Sequence, residues 1–552
     1  MTQKNILFIM FDQLRHDYLS CAGHPHLKTP HLDKLAAKGV RFSKCYVQSP
    51  ICGPSRMSFY TGRYVHSHGA SWNNFPLKVG EMTLGDHLRE RGMDCWLIGK
   101  THMKADDPGM ERLGITHDSI IGARVSECGF DIFERDDGLW GEGPAGFYDK
   151  RRSPYNAYLK SKGYDAENPW LHNANAGLDE KGDIASGWFL RHSDKAANID
   201  ERDSETPWLT GRAMDFIAKK ASENARPWLC HLSYIKPHWP YIVPAPYHTM
   251  YGKDDLIKVV RNPSEKDDPH PVYAAFMDTE VSRNFSRDEV RETVLPAYMG
   301  LIKQADDQMG RLFDWLEAEG QMDNTVIVVT SDHGDYMGDH WLGEKDLFHD
   351  PSVRVPLIIY DPSPEADGTR GTVCDALVES IDLAATFVDM VGDVPEHILE
   401  GRSLWPFLQG KKPESWREFA VSEYDYSATP QAKVLDVDPR LARLFMLVDE
   451  RWKCIFADGG FRPMLFDLLN DPNELNDLGG SGDHGDIIDM FQARFSAWAR
   501  RPSQRTTVGH DALIKSRDGT SEPVGIFIGI WQEDDKPAEM SAKARGKDAR
   551  SE

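Results

Sequence analysis

Asn5-Ile6-Leu7-Phe8-Ile9-Met10-Phe11 runs straight into Asp12-Gln13. From Ile6 to Phe11 there is no polar break, and the run is too short to span a membrane. It predicts a strand buried on both faces, the pattern of a parallel sheet. Strand and helix alternate outward from it. Thr29-Pro30 opens a helix, with Thr as cap and Pro at the first helical position, and Gly39 closes it. Val40 to Tyr46 reads as a strand. Thr83 caps a helix ended by Gly92. Asp94 to Ile98 reads as a short strand leading into Gly99-Lys100-Thr101-His102. Pro227 to Tyr234 is a further strand, before Lys236-Pro237-His238. Arg287 to Glu319 has the period of a long helix. Asn324 to Thr330 is a strand followed by Ser331-Asp332-His333-Gly334, and Leu357 to Tyr360 and the helix Ser380 to Val391 continue the series. Such alternation predicts an α/β domain over about 1–410, built on a large, mostly parallel sheet.

The remaining segments differ in texture. Residues 105–205 are rich in Gly, Asp, Asn, Trp and Pro and are expected to form long loops walling a pocket, ordered in part by Trp140, Trp170 and Trp188. Over 411–501 the runs Glu418–Tyr424, Arg443–Val448, Lys453–Phe456 and Met464–Leu468 predict a smaller antiparallel sheet with a helix. Residues 502–552 read as an irregular polar tail with a disordered end. Its apolar patch Val524–Trp531 is expected to contact another subunit in a homo-oligomer, a dimer or tetramer.

With 552 residues, 40% of them hydrophobic and 27% charged, the composition is that of an ordinary globular protein. The net charge of −23 argues against a nucleic-acid or membrane partner. A small anionic substrate must therefore be drawn in by a local cluster of cations. Eight cysteines lie scattered without framework spacing, which suits reduced thiols and a cytoplasmic location. The opening apolar run does not read as a secretory signal, since Asp12 cuts it short.

Several polar groups follow directly on predicted strands: Asp12-Gln13, Lys100 with His102, His238, and Asp332-His333. Ligands bind outside the carboxyl ends of strands in open α/β sheets, so these groups are expected to converge. Singly, each has an ordinary reading: Asp12 and Asp332 as turn caps, His102 and His238 as core histidines, Lys345 as a surface charge. Together, two carboxylates, an amide and an imidazole suggest one divalent metal ion, Ca²⁺ or Mn²⁺. Oxygen donors select a hard ion, and the imidazole shifts the balance toward Mn²⁺. The segment Pro50-Ile51-Cys52-Gly53-Pro54-Ser55-Arg56, continued by Thr61-Gly62-Arg63, adds a candidate nucleophile. A lone cysteine is ordinarily an inert buried hydrophobe, but a nearby guanidinium favours an anion.

That Cys52 segment resembles the signature of type I sulfatases of the alkaline phosphatase superfamily. The resemblance extends over nearly the whole chain. It includes Asp12 after its strand, Gly99-Lys100-Thr101-His102, Lys236-Pro237-His238, and Ser331-Asp332-His333-Gly334 with Gly338-Asp339-His340 and Lys345. It also includes Phe466-Asp467-Leu468 with Asp471-Pro472-Asn473-Glu474. It implies an alkaline-phosphatase-like α/β/α sandwich. It implies that a formylglycine-generating maturation enzyme oxidises Cys52 to Cα-formylglycine. The metal ligands would be Asp12, Gln13, Asp332, His333 and the modified Cys52. Arg56 would hold the nucleophile anionic, and Lys100, His102, His238 and Lys345 would surround the transferred group.

The chain is also similar to bacterial phosphonate monoester hydrolases. They share Asp-Gln at 12 and 13, the outline of Asn73-Asn74-Phe75-Pro76-Leu77, and His at 333. From this likeness Asn73 is expected to bind substrate. That group carries Tyr and Thr where this chain has Lys100 and His102, and the Lys/His pair is the sulfatase pattern. The expected reaction is hydrolysis of an aryl-type sulfate monoester through a covalent sulfo-enzyme, with His238 or Lys345 as acid and His102 as base. The alternative is phosphonate monoester or phosphodiester hydrolysis in the same site.

Overall fold

The computed structural model describes residues 3–138, 153–223, 226–393, 395–517 and 531–532. The strands in chain order are β1 (Asn5–Asp12), β2 (Val40–Tyr46), β3 (Asp94–Gly99), β4 (Asp131–Arg135), β5 (Ala176–Leu178), β6 (Ile184–Ser186), β7 (Trp228–Pro237), β8 (Thr325–Ser331), β9 (Arg354–Tyr360), β10 (Thr372–Glu379), β11 (Ala420–Asp425), β12 (Arg443–Val448), β13 (Trp452–Ala457) and β14 (Met464–Asp467). Eight of them form one sheet in the order β10-β2-β9-β8-β1-β7-β3-β4. β1 lies between β7 and β8 and parallel to both, with Ile6 opposite Leu229 and Val326. Every residue of β1 is buried, as its apolar run requires.

Side chains alternate between the faces of a strand, and in β1 this alternation builds the layers. Leu7, Ile9 and Phe11 join a core with Leu32 and Leu35 of α1 (Pro30–Lys38), Phe216 of the helix Glu205–Ser222, and Leu312 of the helix Asp288–Ala318. Phe8 faces the other way. Its ring meets Phe59 of α2 (Cys52–Thr61) and Phe387 of the helix Asp382–Met390. Helices therefore cover both faces of the sheet, giving the expected α/β/α sandwich. The sheet is mixed: β9 runs antiparallel to both β2 and β8. Parallel neighbours need a crossover, usually helical, and the chain between β8 and β9 holds only short helical turns.

β11 to β14 form the smaller antiparallel sheet in sequence order. The helix Gly485–Ala499 lays Phe491 and Trp498 against Phe445, Leu447 and Phe456 of that sheet. Residues 1–395 and 399–501 make one compact unit, and residues 396–398 with 502–552 make another.

Several elements depart from the sequence reading. Residues 105–205 are not simply loops. They hold the short helices Asp107–Leu113, Ile120–Ser126 and Pro154–Ser161, capped by Asp106, Ser119 and Ser153, and the edge strand β4. Helices of about two turns leave too little period to detect. The Asp-Ile-Phe-Glu-Arg of β4 lacks the apolar run that marks a central strand. β10, at the opposite edge, has an exposed first half and escaped notice for the same reason. Trp170 is buried and donates to Glu205, whereas Trp188 is 38% exposed; Trp140 lies outside the described residues. The tail contains a helix, His510–Arg517, where irregular chain was expected. Val524–Ile530 and the chain end lie outside the described residues. Among the described residues no helix is long and apolar enough to cross a membrane, and all eight cysteines are free.

Candidate active site

The carboxyl ends of β1, β3, β7 and β8 deliver Asp12, Lys100, His238 and Asp332-His333 to one edge of the sheet. Gly99 makes the turn after β3 feasible. It sits at φ +102°, and a Cβ there would lie 2.0 Å from the carbonyl oxygen of Ser233, so only glycine fits. Cys52 begins α2, whose N-terminal end carries the positive pole of the helix dipole.

Asp12, Cys52, Asp332 and His333 each offer one donor atom, and all four atoms lie within 4.8 Å of one another in the protein interior. Cys52 Sγ is 3.0 Å from His333 Nε2 and 3.7 Å from Asp12 Oδ1. His333 Nδ1 donates to the carbonyl of Gly334 at 2.8 Å, which leaves Nε2 as the acceptor facing the group. Asp332 Oδ1 accepts from the backbone N–H of Gln13 and of His333, each at 3.0 Å.

Cations ring these carboxylates. Lys100 Nζ pairs with Asp12 Oδ2. Burial alone would raise the pKa of Asp12. The Lys100 and Arg56 charges, with the His238 and His333 imidazoles beside it, outweigh it and hold the carboxyl well below its ordinary range. Lys345 Nζ stands 3.5 Å from Cys52 Sγ, 3.0 Å from Gln13 Oε1 and 3.2 Å from His238 Nε2. Burial works against its charge, but Cys52, Glu344 and Asp12 keep Lys345 protonated. Burial and Asp12 push the Cys52 thiol up to about 12, against Lys345 and Lys100. Burial, with Lys345 and Lys100, depresses His238, and burial with Lys100 depresses His102.

Two expected roles look different in three dimensions. Arg56 was expected to hold the nucleophile anionic. Its hydrogen bonds go instead to Asp332 Oδ2 (2.7 Å), Asp12 Oδ2 (3.4 Å), the Lys100 carbonyl (2.9 Å) and Ser233 Oγ (2.8 Å). From one turn along α2 the guanidinium ties the carboxylates rather than the sulfur. Asn73 Oδ1 accepts from the N–H of Gly53 at 2.8 Å, so its amide braces the start of α2 beside Cys52. His102 sits at φ +56° with its Nδ1 buried and without a hydrogen-bond partner.

Gln13, also in the left-handed region at φ +67°, borders the donor group. Its amide nitrogen donates to Tyr241 Oη at 2.9 Å and to Asp335, and Tyr241 donates to Asp335 at 2.7 Å. Burial lifts Asp335 to about 6. This Tyr241–Asp335 support was missed. Asp335 lies three residues beyond Asp332 and had no strand-end signal of its own, and Tyr241 offered none. Glu344, 3.8 Å from Lys345 Nζ, was missed for the same reason.

The buried donor group ringed by cations is the kind of site that hydrolyses anionic esters. The family model described as Sulfatase matches residues 4–130 and 148–393, and the model described as N-sulphoglucosamine sulphohydrolase, C-terminal, matches 338–501. The multifunctional alkaline phosphatase superfamily protein PehA of Trinickia caryophylli is 30% identical, over 92% of this chain and 97% of its own. An arylsulfatase of Clostridium perfringens is 26% identical, over 88% and 92%. Among solved structures, a phosphonate monoester hydrolase from Silicibacter pomeroyi superposes with a TM-score of 0.78 at 29% identity, covering 93% of this chain and 97% of that one. The chain belongs to the sulfatase family, within the alkaline phosphatase superfamily, and is a sulfuric ester hydrolase.

Proposed function

We propose that the enzyme hydrolyses small aryl-type sulfate monoesters, with Cys52 matured to Cα-formylglycine. One divalent ion, Ca²⁺ or Mn²⁺, would be held by Asp12, Gln13, Asp332, His333 and residue 52. The convergence of Asp12, Cys52, Asp332 and His333 within 4.8 Å, all buried, carries this reading. The donor set fits such an ion: two carboxylates and an amide oxygen supply hard ligands, and His333 presents an unprotonated nitrogen. When bound, the ion polarises the sulfuryl oxygens and favours the anionic nucleophile. The matured residue 52 would supply, as its hydrate, a pair of hydroxyls on one carbon, the chemistry of a nucleophile that can be regenerated by elimination.

The chain's own residues do the rest. Lys100 and Lys345 stabilise charge growing on the transferred group. Lys345, hydrogen-bonded to His238 Nε2, protonates the departing alcohol, while His238 is oriented by the carbonyl of Trp239 at 2.8 Å from its Nδ1. His102, kept neutral by burial and Lys100, takes the proton of the second hydroxyl. Arg56 holds Asp12 and Asp332 in place.

A second reading, phosphonate monoester or phosphodiester hydrolysis, is supported by the 29% identity to a phosphonate monoester hydrolase over nearly the full length of both chains. Lys100 and His102 favour sulfate. The test is kcat/KM for an aryl sulfate against the matching aryl phosphonate monoester, on metal-loaded enzyme. A higher value for the sulfate is expected. A higher value for the phosphonate installs the second reading instead.

A further inference from the structure

Beside the catalytic groups lies a cleft of about 320 Å³ that none of the steps above uses. Trp188, Trp239, Tyr241 and Phe285 wall it, with Glu280 and Glu344. It is within the size range of small-ligand pockets. The chain connects it to the site at two points. Trp239 follows His238 directly, with the two rings 4.5 Å apart, and Glu344 directly precedes Lys345. Tyr241 reaches the site as well, through its hydrogen bonds with Gln13 and Asp335.

Its charge is opposite to that of the catalytic centre. Lys100 and Lys345 flank the place of the transferred anion, whereas the described residues lining the cleft include two glutamates and no lysine or arginine; Glu344 already lies 3.8 Å from Lys345 Nζ, so Glu280 is the carboxylate that gives the cleft its charge. Trp188 and Trp239 meet edge to face with centroids 4.9 Å apart, and Trp188 keeps 38% of its surface open. Aromatic faces attract cations through their quadrupoles, and the attraction grows as water is excluded. Carboxylates beside such rings select a positive charge over a neutral apolar group. Glu344 is held at φ +62°, a conformation few non-glycine residues adopt and one that recurs at ligand sites.

We propose that this cleft is the leaving-group subsite and that it selects esters whose alcohol carries an ammonium group. The preferred substrates are then zwitterionic, with the anion at Lys100 and Lys345 and the cation against Trp188, Trp239 and Glu280. This inference rests on the hydrolase reading above and adds the substrate class.

Two measurements test it. The first uses no ester: isothermal titration of the full-length enzyme with benzyltrimethylammonium. Binding is expected, weakened about tenfold in both Trp188→Ala and Glu280→Gln. Absent binding, or binding unchanged in both variants, overturns the inference. The second compares 4-(trimethylammoniomethyl)phenyl sulfate with its neutral isostere 4-neopentylphenyl sulfate. The cationic ester is expected to have a kcat/KM about tenfold higher, mainly through KM, and Trp188→Ala is expected to erase the ratio. A ratio near one in the unaltered enzyme overturns the inference and leaves the hydrolase reading standing. Turnover of neither ester overturns both.

Discussion

Arg56 Nε donates to Asp332 Oδ2 across 2.7 Å, and neither side chain reaches solvent. The same guanidinium meets Asp12 at the end of β1, the Lys100 carbonyl beyond β3 and Ser233 in β7. One side chain on α2 thus ties together four neighbouring strands of the sheet. Removing one partner of a buried pair strands the other charge, which costs about 3–5 kcal/mol. Arg56→Ala is expected to lose about that much in denaturant unfolding of the metal-free protein. Part of the loss should return on adding the divalent ion, because the ion supplies positive charge to the same carboxylates. A variant within about 1 kcal/mol of the parent, judged against the range for surface changes, refutes this role.

A ligand that binds only the folded state stabilises it by about 2.7 kcal/mol at a hundredfold excess over its Kd. Titrating Ca²⁺ or Mn²⁺ into chelator-treated protein is therefore expected to raise Tm and restore sulfate hydrolysis. Asp12→Asn should lose both effects, since its Oδ1 faces Cys52 and His333. If neither ion moves Tm, the proposed donor group holds no such metal.

Maturation of Cys52 is read directly by mass spectrometry of the peptide that contains it. In active enzyme that peptide should react with an aldehyde-specific hydrazide. Cys52→Ala is expected to abolish turnover while keeping the fold, because the side chain is small and no strand depends on it. Full activity with a free thiol at 52 would exclude the modified nucleophile.

Lys100 and His102 are the positions expected to set the choice between sulfate and phosphonate. Lys100→Tyr combined with His102→Thr should shift the ratio of kcat/KM values toward the aryl phosphonate by about tenfold or more, equal to about 1.4 kcal/mol of transition-state preference. Lys100 also neutralises Asp12, so the double variant should lose overall rate as well. An unchanged ratio would remove these two residues from the specificity argument.

Away from the site, burial and the charge of Glu400 lift Glu423 to about 8, against the His66 N–H and Arg501. The folded protein then keeps a proton that the unfolded chain releases above the ordinary glutamate range. The contribution of Glu423 is full in acid and falls by about 1.4 kcal/mol per pH unit as the pH climbs toward 8. Above that it is lost. Glu423→Gln still offers an oxygen to His66 N and removes the slope. Denaturant unfolding at about pH 5 and about pH 9 should find the variant gaining on the parent as pH rises. Parallel profiles would show that Glu423 is ionised in the fold.

The run Ile6–Phe11 was enough to place β1 at the centre of the sheet, because only a strand covered on both faces tolerates six apolar residues in a row. The same logic located Asp12, Lys100, His238 and Asp332 at strand ends, and the short alternating runs after Gly410 marked β11 to β14. Local pattern could not find β4 or β10, since edge strands bury too little to need an apolar signature. It could not orient β9, because strand direction is set by the path of the connection rather than by composition. Nor could it say where long side chains end. Lys345 meets Cys52 from 293 residues away, and Arg56 turns from the neighbouring sulfur to carboxylates 44 and 276 positions distant. Residue types and spacing name the groups a reaction needs. Which of them touch is settled by how the strand ends pack, because a guanidinium or ammonium sealed from water goes to whichever carboxylate the fold sets beside it.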